Sequence, residues 1–261
     1  MKTTRLLGYI AVLMIFTLMP FNAKGQAGNA TFEEGVEAYE NEDYDTAFPI
    51  LKKYAKKGNA EAQIYLGNYY FYGNGVEQSY ETAVKWYRKA AKQGSALAQC
   101  NMGFCHIAGL GVKESYTEAI KWYTKAAEQG FPPALYLIGN CHFSGAGVEQ
   151  SYTEAVKWYT KAAELEDVLA MHSLGICYYH GYGVEQSHET AAKWYTMAAE
   201  RGDPQAMYHL GLCYYYGHGV EQSTSKSLLW LNHSVVAGYE PALETIELLF
   251  DLDEEMEALG F

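Results

Sequence analysis

Residues 73–94 read GNGVEQSYETAVKWYRKAAKQG, and the pattern they set returns four more times along the chain. Its fixed point is a tryptophan: Trp86, Trp122, Trp158, Trp194 and Trp230 follow one another at intervals of thirty-six residues. A constant period in this range marks a repeat array, in which each unit leaves an apolar face bare until its neighbour covers it. The period overrides the one or two compact domains that 261 residues would otherwise suggest. Function then has to be sought where the copies differ.

Five full units start at Ala60, Ala96, Pro132, Val168 and Pro204. In the first, Ala62, Leu66 and Tyr70 recur at i, i+4 and i+8, the spacing of a helix with one buried stripe, here called helix A. Gly67 lies in that stripe, where a missing side chain lets another helix come close. Gly73 and Gly75 end the helix, because glycine accepts the positive φ of a tight exit. Val76 plugs the turn and Ser79 is placed to cap helix B, whose buried stripe is read as Ala83, Trp86, Tyr87, Ala90 and Ala91. Ser115 with Glu118, and Ser151 with Glu154, fit the reciprocal capping box. Gly94, Gly130, Gly202 and Gly238 close helix B. Glu166 breaks that column, which predicts a differently shaped turn over residues 164–167, and Pro132-Pro133 is expected to bend the start of the third unit.

The two ends are atypical. Residues 26–31 read as a flexible lead, and Phe32 to Asn59 as a half-disguised capping unit in which Tyr44, Thr46, Ala47, Ala55 and Gly58 match positions one period later. Pro49 falls inside its second helix, which should start late or kink there. Residues 240–261 keep Pro241 and Ala242 of helix A and then turn acidic, as a C-terminal capping helix with a solvated outer face would. Terminal units of solenoids depart from the pattern because one face has no neighbour.

Residues 1–25 read as an export signal: Lys2 and Arg5, the apolar run Leu6 to Phe21, and the polar exit Asn22-Ala23-Lys24-Gly25 before a cut at Gln26. An uncleaved anchor is the alternative; once the signal is removed no membrane insertion is expected, and the destination is periplasmic or secreted. Cleavage takes three basic residues from 19 and leaves 16 against 31 acidic ones, a charge of −15 that repels phosphate backbones and argues against nucleic acid. Cys105, Cys141, Cys177 and Cys213 hold one position in successive units, too far apart for disulfides, and Cys100 faces away from Cys105; five buried thiols are expected.

At these residues the chain resembles the Sel-one-like repeat, a relative of the tetratricopeptide repeat. The pattern A-x-x-x-L-G-x-x-Y-x-x-G-x-G-V stands at Ala62 to Val76, and A-x-x-W-Y-x-x-A-A-x-x-G at Ala83 to Gly94, within five in-phase units over residues 60–239. The resemblance implies an all-α fold, a right-handed superhelix of antiparallel helix pairs with A helices lining the concave side, working as an adaptor in protein complexes. Some cysteine-rich exported relatives bridge helix A to helix B; no cysteine stands in helix B here.

No chemistry-bearing pattern competes with this. The Gly-x-Gly turns lack a following Gly-Lys-Ser or Gly-Lys-Thr and a preceding strand, so they cradle no phosphate. Cys105-His106 and Cys141-His142 are adjacent on a helix and point about 100° apart, so they make no metal pair; His106 and His142 read as buried structural residues in the Tyr70 column. Nearly every polar residue in a special position has a copy one period away, whereas a catalytic residue should occur once. The chain is therefore read as non-enzymatic and without cofactor or metal, binding an unidentified protein or peptide.

The informative columns are those of helix A that vary. They run Tyr65, Asn101, Leu137, Ser173, His209; Asn68, Phe104, Asn140, Ile176, Leu212; and Tyr72, Ala108, Ser144, His180, Tyr216. At i, i+3 and i+7 they share one helix face, which the resemblance places in the groove. Candidate contact residues are Tyr65, Asn68, Tyr72, Asn101, Phe104, Asn140, His180, His209 and Tyr216, aromatic anchors beside adaptable polar groups. The competing reading is a wall-active hydrolase or a small-molecule or metal binder at the histidine-rich C-terminal end, where His172, His180, His188, His209 and His218 gather and His180 with His218 is the imaginable pair.

Overall fold

A computed structural model describes residues 30–249, and every regular element among them is a helix. The signal segment 1–25 and the end of the acidic cap lie outside the described residues. In chain order the helices are α1 (Phe32–Glu40), α2 (Tyr44–Lys56), α3 (Ala60–Tyr72), α4 (Tyr80–Lys92), α5 (Ala96–Ala108), α6 (Tyr116–Ala127), α7 (Pro132–Ser144), α8 (Tyr152–Glu164), α9 (Val168–His180), α10 (His188–Glu200), α11 (Pro204–Tyr216) and α12 (Thr224–Val236). A last helical stretch covers 241–249. Two units divide the chain, one up to Ala134 and one from Leu135. Within each, consecutive helices pack on one another, α3 on α4 and α5 on α6 in the first, α9 on α10 and α11 on α12 in the second.

One local logic builds the repeats, the third differing in having Phe131 where the others carry a polar cap. A polar side chain caps helix A, such as Asn59 accepting from the Ala62 N–H at 2.7 Å, and a left-handed glycine, Gly73 at φ 77°, ends it. A serine then caps helix B, as Ser79 does by accepting from the Thr82 N–H. The second glycine of the turn serves a contact: a Cβ at Gly111 would overlap the backbone of Tyr80 and Glu81 one repeat earlier, as one at Gly183 would overlap Tyr152 and Thr153. These glycines let a turn sit on the start of the previous helix B, which is the structural role expected of them.

The helix-A glycine makes the closest packing inside a repeat. A methyl at Gly67, Gly103, Gly139 or Gly175 would overlap the ring of Tyr87, Tyr123, Tyr159 or Tyr195, all buried on the facing helix B. Each such ring withdraws enough apolar surface to contribute on the order of 2–3 kcal/mol. The tryptophans read as part of this stripe stand at its margin instead. Trp86 is half-buried against the cluster of Leu51 from the preceding unit and Leu66 and Tyr69 of its own, and Trp122 against that of Ala83, Tyr87 and Met102. Their outer faces carry Lys89, Lys125 and Lys161 above Trp86, Trp122 and Trp158 at 3.9, 4.6 and 4.6 Å.

Other expectations are corrected. Helix α2 starts at Tyr44, capped by Asp43, and continues through Pro49 rather than starting late. Pro132-Pro133 supplies the first turn of α7, where no N–H is needed, and keeps the start in register with Ala60 and Val168. The capping boxes form only their serine halves. The Ser115 N–H already donates to His106 O at 2.8 Å, and Glu118 turns to Lys121 at 2.6 Å; Ser151 and Glu154 repeat this with His142 and Lys157. A complete box occurs at Thr31 and Glu34, ahead of α1. Glu166 also leaves the turn unchanged: it adopts φ 64°, and residues 165–167 donate to Ala162 and Ala163 as residues 201–203 do to Ala198 and Ala199.

Candidate functional site

The structure separates the three variable columns of helix A. The first turns inward. Asn101 and Leu137 are buried, and Tyr65 is half-buried with its ring 5.0 Å from Tyr39 and 6.5 Å from Phe32, burial pushing its hydroxyl up to about 12. His209 lies between Tyr195 and His172, stacked on them at 5.2 and 5.3 Å.

The second column seats the buried tyrosines. The Tyr87 hydroxyl donates to Asn68 Oδ1 at 2.7 Å, and Tyr159 to Asn140 in the same way at 2.7 Å. Phe104 packs on Phe71 and the surrounding core. These asparagines answer polar atoms that burial would otherwise leave unpaired. Nothing in one copy of the repeat marks that pairing; comparing the polar members of the Asn68 column with the tyrosine opposite them is the signal that finds it.

The third column alone keeps its aromatic members open. Tyr72 in the first unit is 45% exposed and Tyr216 in the second 56%, with Ser144 and His180 exposed as well. Each stands on the last turn of a helix A, next to the left-handed glycine that ends it.

In the second unit this column joins a run of rings. Tyr182 stacks on Tyr152 and His180 at 5.0 and 5.2 Å, Tyr179 on His188 at 4.7 Å, and His218 on Tyr216 at 5.4 Å, with His188 and His218 4.8 Å apart. A 2.7 Å hydrogen bond joins the Tyr179 hydroxyl to His218 Nδ1. The sequence reading named His180 and His218 and missed Tyr179, Tyr182 and His188. Two columns carry the signal: the first residue of helix B, Tyr80, Tyr116, Tyr152 and His188, and the residue between the turn glycines, Tyr182 and His218.

This arrangement is poor for chelation. One His218 nitrogen is committed to Tyr179 and one His188 nitrogen to Gln186. Among the described residues no group of three His, Cys, Asp or Glu side chains is placed to hold a metal ion.

A second histidine pair is sealed inside. His172 on α9 is only 4% exposed, its Nε2 has no hydrogen-bond partner, and its Nδ1 lies 3.9 Å from Asp203, the cap of α11. Burial lowers His172 to about 4 and, with the charges of His172 and His180 adding to it, His209 to about 3, so both rings are neutral at pH 7. His106 and His142, expected to be buried, are half-buried; His106 Nδ1 meets Lys113 O at 3.4 Å. All five cysteines are free and buried, and burial pushes Cys105, Cys141, Cys177 and Cys213 up to about 12, away from thiolate chemistry. No helix among the described residues is long and apolar enough to cross a membrane.

The pattern of the Sel1 repeat matches residues 60–95, 96–131, 132–167, 168–203 and 204–232. Among solved structures the chain is similar to a Sel1 repeat protein from Oxalobacter formigenes, with 34% identity over 82% of this chain and 88% of that one and a TM-score of 0.78. It is also similar to c5321, a protective antigen with an SLR fold present in uropathogenic Escherichia coli strains, with 36% identity over 81% of this chain but only 46% of that one and a TM-score of 0.72. The immunity protein Pa5087 from Pseudomonas aeruginosa shares the fold at 18% identity, over 83% of this chain and 90% of that one, with a TM-score of 0.56. A comparison with curated proteins yields no match. Five matched repeats, in register with helix pairs that begin at the same residues, show that the chain belongs to the Sel1 repeat family.

Proposed function

We propose that the protein is a non-enzymatic, exported scaffold that binds a protein or peptide through the open ends of its A helices. The observation that carries this is the third column: Tyr72, His180 and Tyr216 present aromatic surface to solvent from rigid helix ends, while the neighbouring columns are consumed by packing. Of the candidate contact residues, these three make the contact. Tyr65, Asn68, Asn101, Phe104, Asn140 and His209 act behind them by fixing where the helix faces sit.

The mechanism is preorganisation. Side chains held on packed helices lose little freedom on association, so modest contacts in a fixed register add up to useful affinity. Export rests on the basic start and apolar run of residues 1–25; mass analysis of the protein from its native host should find a chain beginning at Gln26. Binding is tested by in-cell affinity capture with the native chain and a Tyr72→Ala/His180→Ala/Tyr216→Ala variant of unchanged circular dichroism. Loss of a captured protein from the variant alone supports the reading. Identical capture by both forms removes these helix ends from the account.

A further inference from the structure

The open ring column of the second unit lies in a field of uncompensated carboxylates. Between residues 135 and 249 the sequence holds five basic residues, Lys157, Lys161, Lys193, Arg201 and Lys226, against thirteen acidic ones. All five are already engaged. Lys157, Lys193 and Arg201 pair with Glu154, Glu189 and Glu166 at 2.6, 2.7 and 3.6 Å, while Lys161 and Lys226 lie over the rings of Trp158 and Tyr214 at 4.6 and 5.2 Å. Glu185 and Glu221 are exposed and have no ion pair among the described residues. They stand in the two turns that follow His180 and Tyr216.

From this juxtaposition we infer that the partner docks through an extended, positively charged segment whose basic residues are spaced to meet successive A-helix ends. The inference rests on the scaffold reading and specifies its partner. A guanidinium lies flat on an open aromatic face and pairs with a carboxylate at its rim, and the chain already sets a cation over a ring where the Lys226 ammonium covers Tyr214. The stacks leave two such faces, at His180 and Tyr216, each covered on one side by Tyr182 or His218. Helices α9 and α11, which carry them, are in contact, so the helix ends that present the two faces are on the order of 10 Å apart. An extended peptide in the polyproline II conformation rises about 3.1 Å per residue with three residues per turn, so side chains three apart share one face. Basic side chains three residues apart therefore match one repeat.

The experiment uses fluorescence anisotropy with two labelled peptides of one composition, Arg-Ser-Gly-Arg-Ser-Gly-Arg and Arg-Arg-Arg-Ser-Gly-Ser-Gly. The native chain should bind the spaced peptide about tenfold more tightly than the clustered one. His180→Ala/Tyr216→Ala should erase that preference, Glu185→Gln/Glu221→Gln should weaken both peptides, and Lys193→Ala should leave the preference unchanged. Equal binding of the two peptides by the native chain, or binding of neither, overturns the inference. A neutral or acidic partner captured by the native chain and lost with the helix-end variant would overturn it too, while leaving the scaffold reading intact.

Discussion

Glu166 carries the clearest strain among the described repeats. It sits at φ 64° in a turn whose counterparts Gly130 and Gly202 adopt 73° and 92°, and a side chain in that region costs about 1 kcal/mol or more. Its pair with Arg201, 3.6 Å apart and largely exposed, offsets little. Glu166→Gly should therefore raise the unfolding free energy in urea by about 1 kcal/mol, and Gly202→Ala should lower it by a similar amount. The glycine column was legible in the sequence, but its break at Glu166 invited the wrong conclusion, because surrounding hydrogen bonds hold the turn whatever residue stands there. Steric demand is stricter at Gly175, where a methyl would overlap the Tyr195 ring between two packed helices. Gly175→Ala should cost about 1–3 kcal/mol by the same assay.

Among the elements, α9 and α11 carry the pH dependence. The groups facing the His172 and His209 pair are Asp203, Tyr195, Tyr208 and His180. His172 is lowered from 6.5 to about 4, so between those values the unfolded chain binds the proton and the folded one does not. Stability from this group is present in full above about pH 6.5 and is lost as pH falls towards 4, by on the order of 3 kcal/mol. Asp203 and Asp167 are pushed up by burial, take their protons earlier in the folded chain, and oppose the loss at the acid end. Urea titrations between pH 4 and 7 should show a rising profile that His172→Tyr, the residue type of Tyr136 and Tyr208 in the same column, makes shallower, the remaining slope belonging to His209. Within the five full repeats, helix positions, ends and serine caps were readable from period and capping residues. Which of Trp86 and Tyr87 faces inward was not, since neighbours 100° apart straddle one stripe, and the deciding partner, Gly67, lies on another helix.

For the molecule as a whole, period is the unit of folding. In the first unit a glutamine pair ties each repeat to the last: Gln93 donates to Gln63 at 2.8 Å while Gln63 donates to Ala55 O, and Gln129 with Gln99 and Ala91 O repeats the link. Deleting residues 96–131, one whole period, should leave the helical circular dichroism per residue unchanged, whereas deleting residues 96–113 should sharply reduce it, because only a whole repeat restores each face to its neighbour. The array could be read from the sequence because its constraints recur. The contact surface could not be read as fully, since the three variable columns look alike until packing claims Asn68, Asn101 and His209 and leaves Tyr216 open. The central claim, that partners dock on these open helix ends, is tested most directly by placing the photocrosslinker benzoylphenylalanine at residue 216, at 180, or at 193 on the outer row of α10, and irradiating cells. The account predicts one shared crosslinked partner from 216 and 180 and none from 193. Crosslinking from 193 as readily as from 216 would contradict it.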